Sequence, residues 1–260
     1  MKILVTNDDG IFADGLRILV TALSKVAQVV VVAPDRERSV IGTAVSLRRP
    51  LKVHSMTPIV SGVETYAVEE GTPSDSVVLA LGKLAKDNVG LIISGINQGP
   101  NLGDDVFISG TVSAALQGYM HGLPAFAFSV CSVDDQTFTT AAKLAALLAR
   151  RVGANTLPSK IFLNVNVPAL PLAEIRGTMV TRPASGSHSF TVDEESDENG
   201  VVYRMRYQRN GNNTTRKTDI WAIEHGNISI SPLHIHLLGK ATPVITDSLF
   251  SDLLPELQQY

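Results

Sequence analysis

Five short stretches are apolar on consecutive rather than alternate positions: "KILVT" (2–6), "QVVVVA" (28–33), "GLIISG" (90–95), "PAFAFSV" (124–130) and "KIFLNVNV" (160–167). This pattern predicts strands covered on both faces, because a strand with one wet face alternates. Between them, apolar residues at helical spacing predict helices over Asp14–Val26, Pro73–Leu84, Thr111–His121 and Thr139–Arg150. Thr72 offers an N-cap for the second of these, with Pro73 at its first helical position. Strands alternating with helices imply an α/β fold: a parallel sheet with right-handed crossovers.

Beyond residue 170 the pattern changes. "IRGTMVTRP" (175–183) and "VVYRMRYQRN" (201–210) predict strands, separated by the acidic stretch "SGSHSFTVDEESDENG", while "RNGNNTTRK" predicts a hairpin tip or loop. A short helix from Asp219, a strand "NISISPL" (227–233) and an amphipathic tail helix near Asp247–Gln258 follow. A two-stranded arm in this region would have few contacts of its own, and isolated hairpins are marginal, so it is expected to pack on a partner subunit. The expected division is a catalytic core over 1–170. An extension over 171–260 would carry the hairpin and tail helix, partly completing the core and the oligomer interface.

The unusual polar clusters fall at the carboxyl ends of predicted strands, where open parallel sheets bind ligands. "NDDG" (7–10) follows the first strand, "PDRERSVIGT" (34–43) the second and "SGINQGPNLGDD" (94–105) the third predicted parallel one. Adjacent Asp8 and Asp9 form either a solvated turn or cap, or half of a cation site. Ser39, Asn97 and Asn101 in the neighbouring loops add neutral oxygen donors. Carboxylate, hydroxyl and amide oxygens together suit Mg²⁺, Mn²⁺ or Ca²⁺ and suit structural zinc poorly. Ser109, Gly110 and Thr111 lead into a predicted helix, whose free N–H groups and hydroxyls suit a phosphate as well as a plain cap. "EGTPSDS" (70–76) has the chemistry of a cap. Arg36 and Arg38 are either phosphate clamps or a solvated charge run. His234 and His236 share a strand face but lack a third ligand nearby.

Composition narrows the partners. The 260 residues suffice for one large domain or one with an extension, and 44% hydrophobic with 18% charged residues is ordinary for a globular chain. A net charge of −3 gives no basic field for DNA or an anionic membrane. No stretch approaches the ~20 apolar residues of a membrane span, and the N-terminus lacks a signal-peptide pattern. Cys131, the single cysteine, excludes an intrachain disulfide framework and fits a reducing cytoplasm. Walker, G-x-S-x-G and dinucleotide fingerprints are all missing.

"ILVTNDDGI", "VVAPDRERS", "GTPSDSV", "ISGINQGPNLGDDVFISGTVSAAL" and "LNVNVP" occur in the order and spacing of the survival protein E (SurE) nucleotidases, and "TDIWAIEHGNISISPL" resembles that family's C-terminal block. The resemblance covers most of the chain. It implies a Rossmann-like core, doubly wound in three α/β/α layers, with a C-terminal hairpin and helix extension used for oligomerisation. It also implies a metal-dependent phosphatase of nucleoside 5'- and 3'-monophosphates, with some action on short polyphosphate, and a role in stress survival. The assembly it implies is a homodimer or homotetramer with exchanged C-terminal elements.

Carried over by motif, Asp8, Asp9, Ser39 and Asn97 hold one divalent cation, Mg²⁺ or Mn²⁺, per subunit. Asn7, Asn101, Ser109, Gly110 and Thr111 line the phosphate side, and Asp8 and Asp9 are the catalytic pair. Three positions depart from the pattern: Asp14 stands where Pro is expected, Val40 where Gly is expected, and "TRPASGSHSF" lacks a basic run. The expected reaction is hydrolysis of a phosphomonoester by metal-activated water. The alternative is a non-catalytic module, either a nucleotide binder or a Mg²⁺-binding signalling receiver. A receiver would be about half this length, with an acceptor Asp where Asn97 stands.

Overall fold

The computed structural model describes residues 1–85, 89–197, 200–210, 215–234 and 246–260. The strongest apolar runs form β1 (Lys2–Thr6), β2 (Gln28–Pro34), β5 (Val89–Gln98), β6 (Ala125–Val130) and β7 (Phe162–Val167), all strands buried on both faces for most of their length. Shorter strands β3 (Lys52–Ser55), β4 (Glu64–Glu69), β8 (Gly177–Val180) and β11 (Asn227–Pro232) complete a nine-stranded sheet of order β3-β4-β2-β1-β5-β6-β7-β11-β8. From β4 through β7 the neighbours are parallel, while β3 runs antiparallel to β4, and β11 runs antiparallel to β7 but parallel to β8. The chain winds from β1 outward through β2 and β4, then returns to the other side of β1 for β5, β6 and β7. That reversal opens a crevice between the carboxyl ends of β1 and β5.

Helices cover both faces, giving the doubly wound three-layer architecture. α1 (Asp14–Leu23) and α4 (Asp135–Gly153) pack together on one side, over a core that includes Leu16, Leu19, Phe126 and Phe128. α2 (Pro73–Leu79) and α3 (Gly110–Met120) pack together on the other side, over Leu4, Val32, Ile92 and Ala127. The Thr72 cap is a full capping box, with the Thr72 hydroxyl accepting from Asp75 N and the Asp75 carboxylate accepting from Thr72 N. α1 begins at Asp14 without a side-chain cap, and the proline expected there is replaced by an exposed Asp14–Arg17 pair at 3.1 Å. α5 (Asp219–Glu224) packs on β11, and α6 (Leu253–Gln259) packs on α4.

The structure differs from these expectations at five places. β3 and β4 were not anticipated, because "KVHS" and "ETYAVE" mix charged and apolar residues, as edge strands do. The acidic spacer is instead a strand, β9 (His188–Asp197), paired antiparallel with β10 (Gly200–Arg209). Two of its acids pair diagonally with arginines of β10: Glu195 lies 3.0 Å from Arg204, and Asp193 pairs with Arg206. "IRGTMVTRP" contributes β8 to the main sheet, not a strand of the arm. The helix expected over Pro73–Leu84 changes at Ala80 into a π-turn, and the tail becomes a 3₁₀ turn at Asp247–Leu249 before α6. Residues 211–214 of the expected hairpin tip, and His236, lie outside the described residues.

Gly15 sets how closely α1 approaches β5. A Cβ there would lie 2.2 Å from the Ile96 carbonyl oxygen and 2.9 Å from the Phe138 ring. Gly15→Ala should therefore cost about 1–3 kcal/mol of stability or more through overpacking. Urea unfolding reads this as a lowered midpoint; a midpoint equal to that of the unsubstituted protein would contradict the close approach.

Candidate active site

Asp8 and Asp9 stand where β1 ends at the crevice. The turn that holds them is laced to the loop after β2: Ile11 N donates to Pro34 O at 2.9 Å and Arg38 N to Asp8 O at 2.7 Å. Gly10, at φ +96°, faces the Arg36 backbone so closely that a Cβ would lie 2.8 Å from it. Asn7 is fully buried, and its Nδ2 donates to Gly10 O at 2.9 Å, so its amide shapes the turn. Asp8 is 4% exposed and accepts a hydrogen bond from the Thr111 hydroxyl. Asp9 accepts from Gln98 N at 3.2 Å, across the crevice.

Between Ser94 and Asn97 the register of β5 against β6 shifts, an irregularity of the kind that re-aims side chains beside active sites. Asn97 follows, with Nδ2 donating to Gly99 O at 2.7 Å, which leaves its amide oxygen as the end able to ligate. Asp8, Ser39, Asn97, Asn101 and Ser109 line one cavity of about 360 Å³, within the range of small-molecule sites. Ser39 is exposed and donates to Glu37 at 2.6 Å. Val40 beside it has φ +55°, a left-handed conformation suited to glycine and strained for a β-branched residue. Ser109 caps α3 by accepting from Val112 N at 3.1 Å. A Cβ on Gly110 would lie 2.8 Å from Asp8 Cβ, so the start of α3 sits directly against the carboxylate.

The candidate residues therefore divide. Five meet at the cavity, with Asp9 and Gly110 beside Asp8. Asn7 and Thr111 are wholly buried and engage the turn and Asp8, respectively. Arg36 pairs with Glu70 at 2.8 Å and Arg38 with Asp35 at 3.8 Å, and neither lines the cavity. His234 is exposed on the far segment, and among the described residues no group of three or more His, Cys, Asp or Glu converges.

Electrostatics single out the aspartates. Burial raises the Asp8 carboxyl above its ordinary range, an effect the Thr111 hydrogen bond offsets only in part. Burial, then the Asp8 charge, push Asp9 up to about 7. The charges acting on the pair are negative ones, Glu37 on both and Asp8 on Asp9. A buried and a half-buried carboxylate without a cationic neighbour among those charges, near hydroxyl and amide oxygens, fit a hard divalent cation.

Sequence reasoning missed what holds the loop from Asn97 to Ser109. Asn166 Oδ1 accepts from Asn101 N at 2.9 Å; Asn164 and Asn166 both donate to Asn101 O, and Asn101 Nδ2 donates to Ser129 at 2.8 Å. "LNVNVP" is thus a buried amide clamp on one backbone unit. Asp219, fully buried, accepts from Gly103 N at 2.7 Å and from Ala184 N at 3.0 Å. Asp104 and Ser187 bond reciprocally, N–H to side chain, at 2.7 and 2.9 Å. The signal was present in two asparagines placed inside an otherwise apolar strand, where unpaired amides are costly.

Fold and site together define a class: Rossmann-like α/β proteins with an acidic, oxygen-rich crevice at the switch point of the sheet. A model of the family described as survival protein SurE matches residues 3–189. The chain is 47% identical over 248 residues to a 5'-nucleotidase SurE of Dehalococcoides mccartyi (strain CBDB1), covering 95% of this chain and 92% of that protein. It is 42% identical to a 5'-nucleotidase SurE of Legionella pneumophila (strain Paris), covering 91% and 92%. The crystal structure of the SurE protein from Aquifex aeolicus superposes with a TM-score of 0.78 at 36% identity, covering 92% of this chain and 95% of that one. The chain belongs to the SurE family.

Burial raises the Asp219 carboxyl, although backbone N–H groups, those of Gly103, Ala184 and Ile220 among them, oppose the shift. A raised folded pKa means that stability is lost as pH rises from the unfolded value through the folded one. Asp219→Asn should flatten that part of the stability–pH profile. It should also cost about 1–3 kcal/mol at pH 7 by leaving a backbone donor unpaired. Urea melts from pH 4 to 8 check both; a profile parallel to the parent's would refute the assignment.

Proposed function

We propose that the chain is a divalent-metal-dependent nucleotidase, a phosphoric monoester hydrolase that converts nucleoside 5'- and 3'-monophosphates to nucleoside and phosphate, with short polyphosphate as a further substrate. The observation that carries this reading is the adjacent Asp8 and Asp9 at the switch point, the first buried and the second half-buried, whose surrounding charges are negative and near which Ser39, Asn97, Asn101 and Ser109 offer neutral oxygens. The relatives named 5'-nucleotidase support it.

Asp8, Asp9, Ser39 and Asn97 would hold one Mg²⁺ or Mn²⁺ per subunit. When bound, that ion supplies positive charge to the phosphoryl oxygens and activates water. The first amides of α3, from Gly110 onward, and the Asn101 and Ser109 edge of the cavity would hold the remaining phosphate charge. Thr111 positions Asp8 by its hydroxyl, and Asn7 fixes the turn that carries the pair. Water adds to phosphorus, the ester P–O bond breaks, and the proton passes by way of Asp8 to the departing sugar oxygen.

The structure gives a hairpin, β9–β10, with an apolar face that includes Phe190, Val192, Tyr203 and Met205 and is largely exposed in the single chain. Such a face supports a homodimer or homotetramer, with 171–260 as the extension that builds it and 1–170 as the catalytic core. Among the described residues no helix is long and apolar enough to cross a membrane. The net charge of −3 and the single cysteine support placing the enzyme in the cytoplasm, without DNA or membrane partners.

Asp8→Asn should lower phosphate release from a mononucleotide at least about 10²–10³-fold while the circular dichroism spectrum stays native. Near-normal turnover in excess Mn²⁺ would remove Asp8 from the mechanism. Because Asp9 binds its proton up to pH about 7, the cation must displace it. Calorimetric titration should show Mn²⁺ affinity falling up to about tenfold per unit below pH 7. The metal-free protein should lose stability as pH climbs from the ordinary carboxylate range to about 7 and level off above it, and Mn²⁺ should restore it. A pH-independent affinity would contradict the burial of the pair.

A further inference from the structure

The cavity that holds the acidic cluster has a second character. Two of its lining side chains are aromatic, Phe190 from β9 and Tyr207 from β10, and both belong to the root of the hairpin. They are directly paired across the strands, with ring centroids 6.0 Å apart at 69°. Phe190 is 50% and Tyr207 44% exposed, so each offers ring surface to solvent at the mouth of the site.

Their position is fixed from the catalytic side. The Tyr207 hydroxyl donates to both carboxylate oxygens of Asp105, at 2.8 and 2.9 Å. Asp105 also lies 2.8 Å from His188 Nδ1, and the His188 ring packs 5.3 Å from that of Tyr207. Ser109 N donates to the Asp105 carbonyl at 3.0 Å, so the loop that anchors the tyrosine is the loop that begins α3. Below the rings the reciprocal Asp104–Ser187 bonds and a bond of 2.8 Å from Asn210 N to Ser187 O lock the root of both strands. The aromatic pair is thereby held at a set distance from the phosphate end, independently of what the rest of the arm does.

We propose that Phe190 and Tyr207 form the base-side wall of the active site, on which the nucleobase stacks while its phosphate lies at the Asp8–Ser109 end. A cavity of about 360 Å³ is larger than a phosphate needs and suits a ligand with an apolar, planar part. Every base has a π-face, so stacking tolerates base identity and confers a preference for nucleotides over simple phosphate esters. This assignment rests on the nucleotidase reading.

The test compares kcat/KM, in Mn²⁺, for nucleoside 5'-monophosphates and for ribose 5-phosphate, which keeps the ester and sugar but lacks the base. In Phe190→Ala and Tyr207→Ala the ratio of the two should fall about tenfold, chiefly through KM for the nucleotide. Phe190→Trp should keep the ratio. Phe190→Leu, which retains apolar bulk without a π-face, should lower it even if the alanine variant folds poorly. An unaltered ratio would overturn the proposal. If both substrates then suffer together and sedimentation shows a changed oligomer, the rings serve subunit packing. Failure of the underlying reading looks different: the unsubstituted protein would release phosphate from no nucleotide at all.

Discussion

Two adjacent carboxylates kept out of water are the constraint around which this molecule is arranged. Burying a charge costs free energy that only a counter-charge or a proton can offset. Without a cation, Asp8 and Asp9 turn to the proton, and Asp9 keeps it up to about pH 7. The rest of the site keeps that tension in place. The start of α3 is pressed against Asp8, the Thr111 hydroxyl is aimed at it, and Gln98 N reaches across the crevice to Asp9. A pair left in open solvent would have no need of a metal, whereas one this enclosed is prepared for it.

A second level of organisation keeps the opposing loop rigid. Asn97, Ser129, Asn166 and Ser229 occupy paired register positions across β5, β6, β7 and β11, so a row of polar side chains crosses the sheet beneath the crevice. Buried polar groups of this kind stay favourable only when they are bonded, and here Asn166 and its neighbour Asn164 bond the Asn101 backbone while Asn97 bonds the Gly99 carbonyl. Thr181 extends the system, lying 2.8 Å from Ser229 and 2.7 Å from Ser231. The region after residue 170 therefore contributes to the site through β8, β11 and Asp219 rather than forming a separate appendage.

Much of this was legible in the residues. Solid apolar runs identify the parallel strands, since burial on both faces leaves no polar alternation, and the polar clusters at their ends mark the crevice. The edge strands were not legible, because half-exposed strands such as "ETYAVE" mix polar and apolar residues and carry weak signals. β9 was concealed by its acids, whose strand role depends on arginines in the paired strand, information that periodicity does not contain. The candidate cluster was visible as oxygen donors in successive loops. Asn7 and Thr111, though, engage the turn and Asp8 rather than lining the cavity, because backbone path and burial decide where a short side chain points. The amide clamp and the Asp219 tie lay deeper still, as they join residues far apart in the chain.

That separation matters when the chain is made. The bond from Gly103 to Asp219 spans 116 positions, and the one from Asn101 to Asn166 spans 65. Contacts so distant form only after the entropy of closing large loops has been overcome. The aspartates are made before the segments that carry Asn166 and Asp219, so the opposing rim cannot set until those segments have followed. An unfinished copy thus carries the acids without the pocket, and hydrolytic competence belongs to the completed topology alone.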